Sequence, residues 1–185
     1  MATLHQSPLV TAKEFLEFSF GDRKAELDKG IIRLMAGGTA RHVEVAGNIF
    51  ALLKTRLRGT GCRAYGSDMA VETLDISIRY PDVSVFCGPR RPEDEQEKAF
   101  PNPVAIFEVR SAGTARTDLR EKLEEYRDLP SVDTIVFVDI ASERVRIVQR
   151  TGPTGWSDDK FEVPHDVTLP ILAVTLPHAE IFARD

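Results

Sequence analysis

The stretch Y80-P-D-V-S-V-F86, followed after a charged loop by V104-A-I-F-E-V-R110, decides how we interpret this chain. Both stretches are apolar and strand-like, and each contains one carboxylate, Asp82 in the first and Glu108 in the second. A buried charge costs free energy unless it has a partner or a function. We therefore predict that the two stretches are neighbouring strands whose carboxylates serve one site.

The second stretch has the nearly continuous apolar character of a central strand that is covered on both faces. Side chains alternate along a strand, so Glu108 and Arg110 share one face near the end of the run. Asp82 begins its own strand, directly after a proline. Mg²⁺ prefers one or two carboxylates, water and a substrate phosphate as ligands. We predict a Mg²⁺ or Mn²⁺ site at Asp82 and Glu108.

The segment from Thr117 to Asp128 is predicted to be a helix that brings a lysine to this site. Its apolar stripe, at steps of four and three, consists of Leu119, Leu123 and Tyr126. Lys122 borders this stripe, and we expect it to lean over the sheet edge at Glu108. Asp118, one turn earlier, can pair with Lys122. Three acidic residues of the helix are expected to point outward: Glu121, Glu125 and Asp128.

A pair of carboxylates that holds a metal ion, together with a lysine, is suited to phosphodiester hydrolysis. The metal ion polarises the phosphoryl group and lowers the pKa of a water molecule. The lysine orients that water or stabilises the developing negative charge. Each residue also has a structural explanation. Asp82 would form a local turn, Glu108 an ion pair with an arginine, and Lys122 would extend along the flank of its helix.

The remaining segments indicate an α/β or α+β fold with a mixed sheet flanked by helices. Residues 11–19 are predicted to be a helix that begins with a capping box of Thr11 and Glu14. Residues 41–58 are predicted to be a helix whose apolar stripe includes Ala46, Ile49 and Leu53, and residues 25–35 a hairpin that turns at Asp28-Lys29-Gly30. Further strands are predicted at 62–71, 76–79, 82–87, 104–109, 134–139 and 144–149. We expect one domain over residues 1–185.

Composition narrows the class of protein. The chain has 185 residues and a net charge of −5, which disfavours a protein that coats nucleic acid non-specifically but leaves room for a local basic groove. No run reaches the ~20 apolar residues of a membrane span, and the first residues do not resemble a signal peptide. Cys62 and Cys87 suggest neither a metal site nor a disulfide, so we expect free thiols in a reducing cytoplasm.

Six segments together resemble the Uma-two family of bacterial proteins, which has the PD-(D/E)xK restriction-endonuclease-like fold. They are A25-E-L-D-K-G-I-I-R-L, R41-H-V-E-V, Y80-P-D-V-S-V-F, V104-A-I-F-E-V-R-S-A-G-T, T117-D-L-R-E-K-L-E-E-Y-R and V132-D-T-I-V-F-V-D. The resemblance covers about residues 10–180. It implies a restriction-endonuclease-like mixed sheet, with Asp82 as the motif aspartate, Glu108 as the second acidic residue and Lys122 as the lysine, moved onto the following helix. Arg110 stands where the motif ordinarily has its lysine.

The position of His42 on the apolar stripe of its helix favours a histidine that is satisfied in the core or at a helix cap, whereas the resemblance implies that it lines the site. Supporting or phosphate-contacting roles are expected for Glu26, Arg110 and Asp118, and Arg116 is a further candidate for contacting phosphate.

We therefore predict a cytoplasmic, metal-dependent endonuclease that acts on DNA with Mg²⁺ or Mn²⁺. A homodimer is expected, because two copies can address the two strands of a duplex. The alternatives are a nuclease-like domain without catalysis that binds nucleic acid or a protein partner, and an unrelated α/β domain whose carboxylates are structural.

Overall fold

The computed structural model describes residues 9–74, 76–89, 91–110 and 116–184, and the side chains of residues 116–118 lie outside the description. The helices are α1 (Ala12–Glu17), α2 (Ala40–Arg56), α3 (Arg116–Asp128) and α4 (His178–Ile181). The strands are β1 (Ala25–Asp28), β2 (Ile31–Leu34), β3 (Cys62–Gly66), β4 (Ala70–Leu74), β5 (Ser77–Arg79), β6 (Val83–Cys87), β7 (Ala99–Phe100), β8 (Ala105–Arg110), β9 (Thr134–Asp139), β10 (Arg144–Arg150), β11 (Trp156–Lys160), β12 (Val167–Leu169) and β13 (Val174–Leu176).

A six-stranded mixed sheet forms the centre of the fold, in the order β11-β10-β9-β8-β6-β3. β8 and β9 are parallel and are connected through α3, whereas the other neighbours in this sheet are antiparallel. A parallel pair requires such a crossover connection. β6 and β8 are direct neighbours. The predicted mixed sheet, and the predicted adjacency of the two strands that bear Asp82 and Glu108, are therefore confirmed.

The two faces of this sheet are covered differently. Phe107 and Val109 pack with α2, α4 and the hairpin of β12 and β13. Ile106 packs on the opposite face, against α3. Since side chains alternate along a strand, Glu108 shares the α3 side with Ile106. The central strand thus presents its only carboxylate to α3.

A second sheet, in the order β2-β1-β5-β4-β7, lies beyond the central sheet on the α3 side. Val71 of β4 belongs to the same core cluster as the apolar face of α3. β1 and β2 form the predicted hairpin, and Lys29 and Gly30 at its turn have φ values of 48° and 81°. Two successive residues with positive φ are what a two-residue hairpin loop of type I′ requires.

The cap of α1 agrees with the sequence pattern more closely than the buried face of α2 does. Thr11 and Glu14 form the predicted capping box of α1. In α2 the buried residues are Val45, Ile49 and Leu53, whereas Ala46, which the periodicity places on the apolar stripe, is partly buried. In the described part of the chain, no helix combines the length and the apolar character that crossing a membrane would require.

Two predictions about the region after α2 were wrong. The apolar run predicted as one strand over 62–71 is divided by a turn into β3 and β4, which belong to different sheets. Cys62 and Cys87, predicted to be free, are joined by a disulfide. They are directly opposite each other on β3 and β6, with Cα atoms 4.0 Å apart. Their separation of 25 residues in sequence gave no indication of this pairing.

Candidate active site

Asp82 is held against the central strand β8 by the backbone. It lies just before β6, and its Oδ2 accepts a hydrogen bond of 2.7 Å from the backbone N–H of Val109. β6 pairs with β8 so that Val83 lies opposite Phe107. Continuing this register by one residue places Asp82 opposite Glu108, and opposite residues of an antiparallel pair project to the same face. The two carboxylates predicted to converge are therefore neighbours.

Glu108 is buried, with 7 % of the residue exposed. Its Oε1 accepts a hydrogen bond of 2.6 Å from the Tyr126 hydroxyl, and Lys122 Nζ lies 3.6 Å from the same oxygen. Burial raises the pKa of Glu108 to about 7. The Lys122 charge opposes this rise, the charges of Asp82 and Glu26 add to it, and the Tyr126 hydrogen bond opposes it. A cation beside Glu108 would favour its ionised form.

Lys122 reaches Glu108 from α3, as predicted. It stands four residues before Tyr126, so both side chains project from one face of the helix toward β8. Lys122 is itself buried, and its Nζ donates a hydrogen bond of 3.0 Å to Oε1 of Glu26 on β1. The same Glu26 oxygen accepts a hydrogen bond of 3.1 Å from the backbone N–H of Tyr80. Glu26, predicted as a supporting carboxylate, is thus in direct contact with the lysine.

His42, near the beginning of α2, contacts Asp82 rather than the core. Its Nε2 lies 2.8 Å from Oδ1 of Asp82. The hydrogen bond to Asp82 raises the pKa of His42, burial lowers it, and the charges of Asp82 and Glu108 raise it further. This geometry agrees with the site-lining position implied by the family resemblance. Among the described residues, each oxygen of Asp82 thus has one hydrogen-bonding partner.

Arg110 ends β8 and is half-buried, on the same face as Glu108. Its Nε is buried and has no hydrogen-bond partner among the described residues. The predicted partner of Lys122, Asp118, and the candidate phosphate contact Arg116 have side chains outside the described residues. Their roles stay predictions.

Arg79 was not anticipated, although it organises the carboxylates around Lys122. It is buried, with 1 % exposed, and makes two hydrogen bonds to Glu125, of 2.8 and 2.6 Å. It also donates to Asp28 at 2.8 Å and lies 3.6 Å from Oε2 of Glu26. The sequence signal was a lone arginine at the end of a strand-like run, just before the Tyr-Pro-Asp triplet.

Glu125 was predicted to point outward from α3, and that prediction was wrong. It is buried and accepts hydrogen bonds from Arg79 and, at 2.9 Å, from the Thr73 hydroxyl. The second sheet covers this flank of α3, which the helix periodicity cannot show. Tyr126 was assigned only to the apolar stripe, although its hydroxyl contacts Glu108.

The donor atoms fit a hard divalent cation. Asp82 and Glu108 supply carboxylate oxygens, and Oε2 of Glu108 accepts no hydrogen bond from the described residues. No group of three or more His, Cys, Asp or Glu side chains in the described ranges could hold a metal ion. A closed site made only of protein ligands is therefore not found there. Two carboxylates completed by water and substrate phosphate are the pattern that Mg²⁺ uses.

Comparison with known proteins places this chain in a family. The model of the Uma2 family, described as "Putative restriction endonuclease", matches residues 12–177. Two uncharacterised proteins of Synechocystis sp. (strain PCC 6803) are similar: sll1609 is 28% identical over 158 residues, and slr1290 is 26% identical over 151 residues. The first alignment covers 84% of this chain and 89% of its relative, and the second covers 80% and 78%.

A solved structure has the same fold. The crystal structure described as "a putative nuclease belonging to DUF820" from Anabaena variabilis superposes with a TM-score of 0.76 and 19% identity, covering 94% of this chain and 97% of that one. The fold is therefore that of a restriction-endonuclease-like protein. Because the family model spans most of the chain, including both candidate carboxylates and the lysine, this protein belongs to the Uma2 family.

Proposed function

We propose that this protein is a metal-dependent endonuclease that hydrolyses phosphodiester bonds of DNA, with Mg²⁺ or Mn²⁺ bound by Asp82 and Glu108. One observation carries the proposal. Lys122 Nζ lies 3.6 Å from Oε1 of Glu108. Asp82 is held beside Glu108, because its carboxylate accepts a hydrogen bond from the backbone N–H of Val109, the residue after Glu108. Two carboxylates and a lysine from three separate elements thus meet at one place.

The bound cation would polarise the phosphoryl group and lower the pKa of the attacking water. Lys122 supplies a fixed positive charge for the negative charge that develops on the phosphate oxygens. Glu26 keeps that ammonium group in place, because it accepts a hydrogen bond from Lys122 and is itself held by the backbone N–H of Tyr80. His42 orients Asp82 through their hydrogen bond.

Arg110, on the same face as Glu108, would contact a phosphate oxygen next to the reacting group. Arginine suits this role because its guanidinium group matches the geometry of phosphate. A homodimer and a cytoplasmic location are part of the proposal. Because the Cys62–Cys87 disulfide is a type of bond more common in oxidising compartments, cell fractionation tests the location separately.

Cleavage of closed circular DNA tests the proposal. We expect nicked and linear products in the presence of Mg²⁺ or Mn²⁺, and none with a chelator. Asp82→Asn, Glu108→Gln and Lys122→Met should each lower the cleavage rate about 100-fold or more, as loss of a charge-stabilising group does. Asp159→Asn is the matched control, because this exposed carboxylate lies outside the site and should keep the wild-type rate.

Wild-type rates in all three site variants would contradict the proposal and indicate a contaminating nuclease. Binding of DNA without cleavage under any metal condition would favour the alternative, a nuclease-like domain that binds nucleic acid without catalysis.

A further inference from the structure

A groove with a volume of about 670 Å³ opens beside the candidate active site. It is lined by the ends of the parallel strands β8 and β9, by β10, by the end of β11 and by α3. In sheets with parallel strands, ligands bind outside the carboxyl ends of those strands. Arg110 lines the groove and stands two residues after Glu108, about 6.6 Å farther along β8. The groove therefore begins two residues beyond Glu108 on the same strand.

The charge of this groove is opposite to that of the whole chain. Five cations line it, and we call it the basic groove: Arg110, Arg120, Arg144, Arg146 and Lys160. Two carboxylates, Asp139 and Glu162, also line it, so five positive and two negative groups leave a surplus of three positive charges. The chain as a whole has a net charge of −5. A local basic surface on an acidic protein indicates an anionic partner.

Ion pairs at the rim reduce this surplus without removing it. Arg144 pairs with Glu162 inside the groove. Arg146 and Arg120 pair with two carboxylates of the rim, Asp158 and Glu124. Asp158 is shared with a further arginine, Arg127. Counting these rim groups, the cations still outnumber the carboxylates.

Arg110 has a side-chain donor that the described residues leave unsatisfied. Its buried Nε has no hydrogen-bond partner among the described residues. The nearby Asp139 uses its Oδ1 to accept the backbone N–H groups of Ala141 and Ser142. An unpaired buried donor costs free energy, and a phosphate oxygen would satisfy it.

The basic groove also offers an aromatic surface. Phe161 lines it, half-buried, and its ring stacks on that of His165 with ring centres 3.5 Å apart. Nucleic-acid strands are bound by grooves that combine cations for the phosphates with aromatic rings for the bases. Cations alone would suit any polyanion, and the aromatic side chain favours a nucleic acid.

We propose that the basic groove binds the phosphodiester backbone of a nucleic-acid strand that extends from the active site, with Arg110 as the first phosphate contact beyond Glu108. That the nucleic-acid strand extends from the active site rests on the proposed function, which puts the reacting phosphate at Asp82 and Glu108. The competing explanation is structural, namely that the ion pairs only fasten β10 to β11.

Oligonucleotide binding to the metal-free protein separates these explanations, since no cleavage occurs with a chelator present. Fluorescence anisotropy is measured over a range of salt concentrations with labelled single-stranded DNA, duplex DNA and single-stranded RNA. The test variant combines Arg120→Gln with Lys160→Gln, because both side chains are exposed and their loss should leave folding intact. Arg58→Gln is the matched control, an exposed arginine just beyond α2 and outside the groove.

We expect the double variant to bind about tenfold more weakly or worse, with the slope of log K against log salt reduced by about 0.7 for each phosphate that the variant no longer neutralises. Arg110→Gln should reduce affinity in the same way, and Arg58→Gln should not. The preferred oligonucleotide identifies whether the strand is DNA or RNA.

Unchanged affinity and salt slope in both groove variants would overturn this proposal, as would a wild-type protein that binds no oligonucleotide. Either result is distinguishable from failure of the proposed function. Metal binding and cleavage depend on Asp82 and Glu108. Groove variants that bind oligonucleotide normally and cleave normally would therefore overturn the groove proposal and leave the proposed nuclease activity in place. Oligonucleotide binding that depends on the groove, by a protein that never cleaves, would overturn only the proposed nuclease activity.

Discussion

Glu108 is a carboxylate placed where the surrounding protein disfavours its charge. Burial and the neighbouring charges of Asp82 and Glu26 raise its pKa to about 7, against the opposing effects of Lys122 and Tyr126. A cation that binds between Glu108 and Asp82 requires both groups to be ionised. Metal binding near neutral pH should therefore release a proton from the site.

Arg79 shows the opposite situation, a buried cation that is surrounded by carboxylates. Burial lowers the pKa of Arg79, but the hydrogen bonds and charge of Glu125, with the charges of Glu26 and Asp28, raise it above its ordinary value. Removing one partner of a buried ionic network leaves the others uncompensated, which costs more than the pair contributed. Arg79 thus joins α3 to the second sheet beside the candidate lysine.

Replacing Arg79 by methionine should lower the free energy of unfolding by about 3–5 kcal/mol, because Glu125 would stay buried without its arginine and Asp28 would keep only the exposed Arg33. Arg33→Met is the matched control. Arg33 also pairs with Asp28, but 61% of its side chain is exposed, so its loss should cost less than about 1 kcal/mol. Urea denaturation measures both. Equal losses in the two variants would contradict the account of the network.

Residues in the site differ in how far the sequence could predict them. Asp82, Glu108 and Lys122 follow from strand alternation and helix periodicity, which are local patterns. Arg79 and Glu125 do not, because their ion pair joins a strand of the second sheet to α3, between segments that are distant in sequence. A helix pattern assigns an acidic residue to the outer flank and cannot show that another sheet covers that flank.

Among the strands, β3 is attached to β6 by a disulfide as well as by backbone hydrogen bonds. It is the edge strand of the central sheet, and its first residue, Cys62, is joined to Cys87 at the end of β6. The other end of β6 follows Asp82 directly. An edge strand has a hydrogen-bonded neighbour on one side only, and the disulfide adds a second attachment to β6.

The variant Cys62→Ala/Cys87→Ala should lower the free energy of unfolding by roughly 3 kcal/mol, because the loop closed by the disulfide regains entropy in the unfolded chain. Guanidinium denaturation compares the wild type, with and without a reducing agent, with the variant. A thiol titration is the control that establishes whether the disulfide has formed in the purified protein. A fully oxidised wild type with the same stability as the variant would contradict this prediction.

The elements that the sequence predicted well carry their own local signals. The capping box of α1 and the Lys29-Gly30 turn each lie within a few residues, and both were found where predicted. The run from Cys62 to Val71 contains Gly66-Ser67-Asp68, a turn signal that the prediction of one strand passed over. Its apolar residues continue from β3 into β4, although these strands serve different sheets.

At the scale of the whole molecule, the site lies where several layers meet. Glu108 comes from the central sheet, Glu26 from the second sheet, Lys122 from the helix between them and His42 from the helix on the other side. The order of elements predicted the mixed sheet and its flanking helices. It did not predict the second sheet, because the pairing of β1 with β5 and of β4 with β7 joins segments that are far apart in sequence.

The central claim is that Asp82 and Glu108 bind one divalent cation, and calorimetric titration of Mn²⁺ into the protein tests it most directly. We expect about one equivalent to bind at pH 8, with about tenfold lower affinity at pH 6, where a carboxyl group of pKa about 7 is mostly protonated. The variant Asp82→Asn/Glu108→Gln should bind none. A wild type that binds no Mn²⁺ at pH 8, or a double variant that binds it as the wild type does, would contradict the claim.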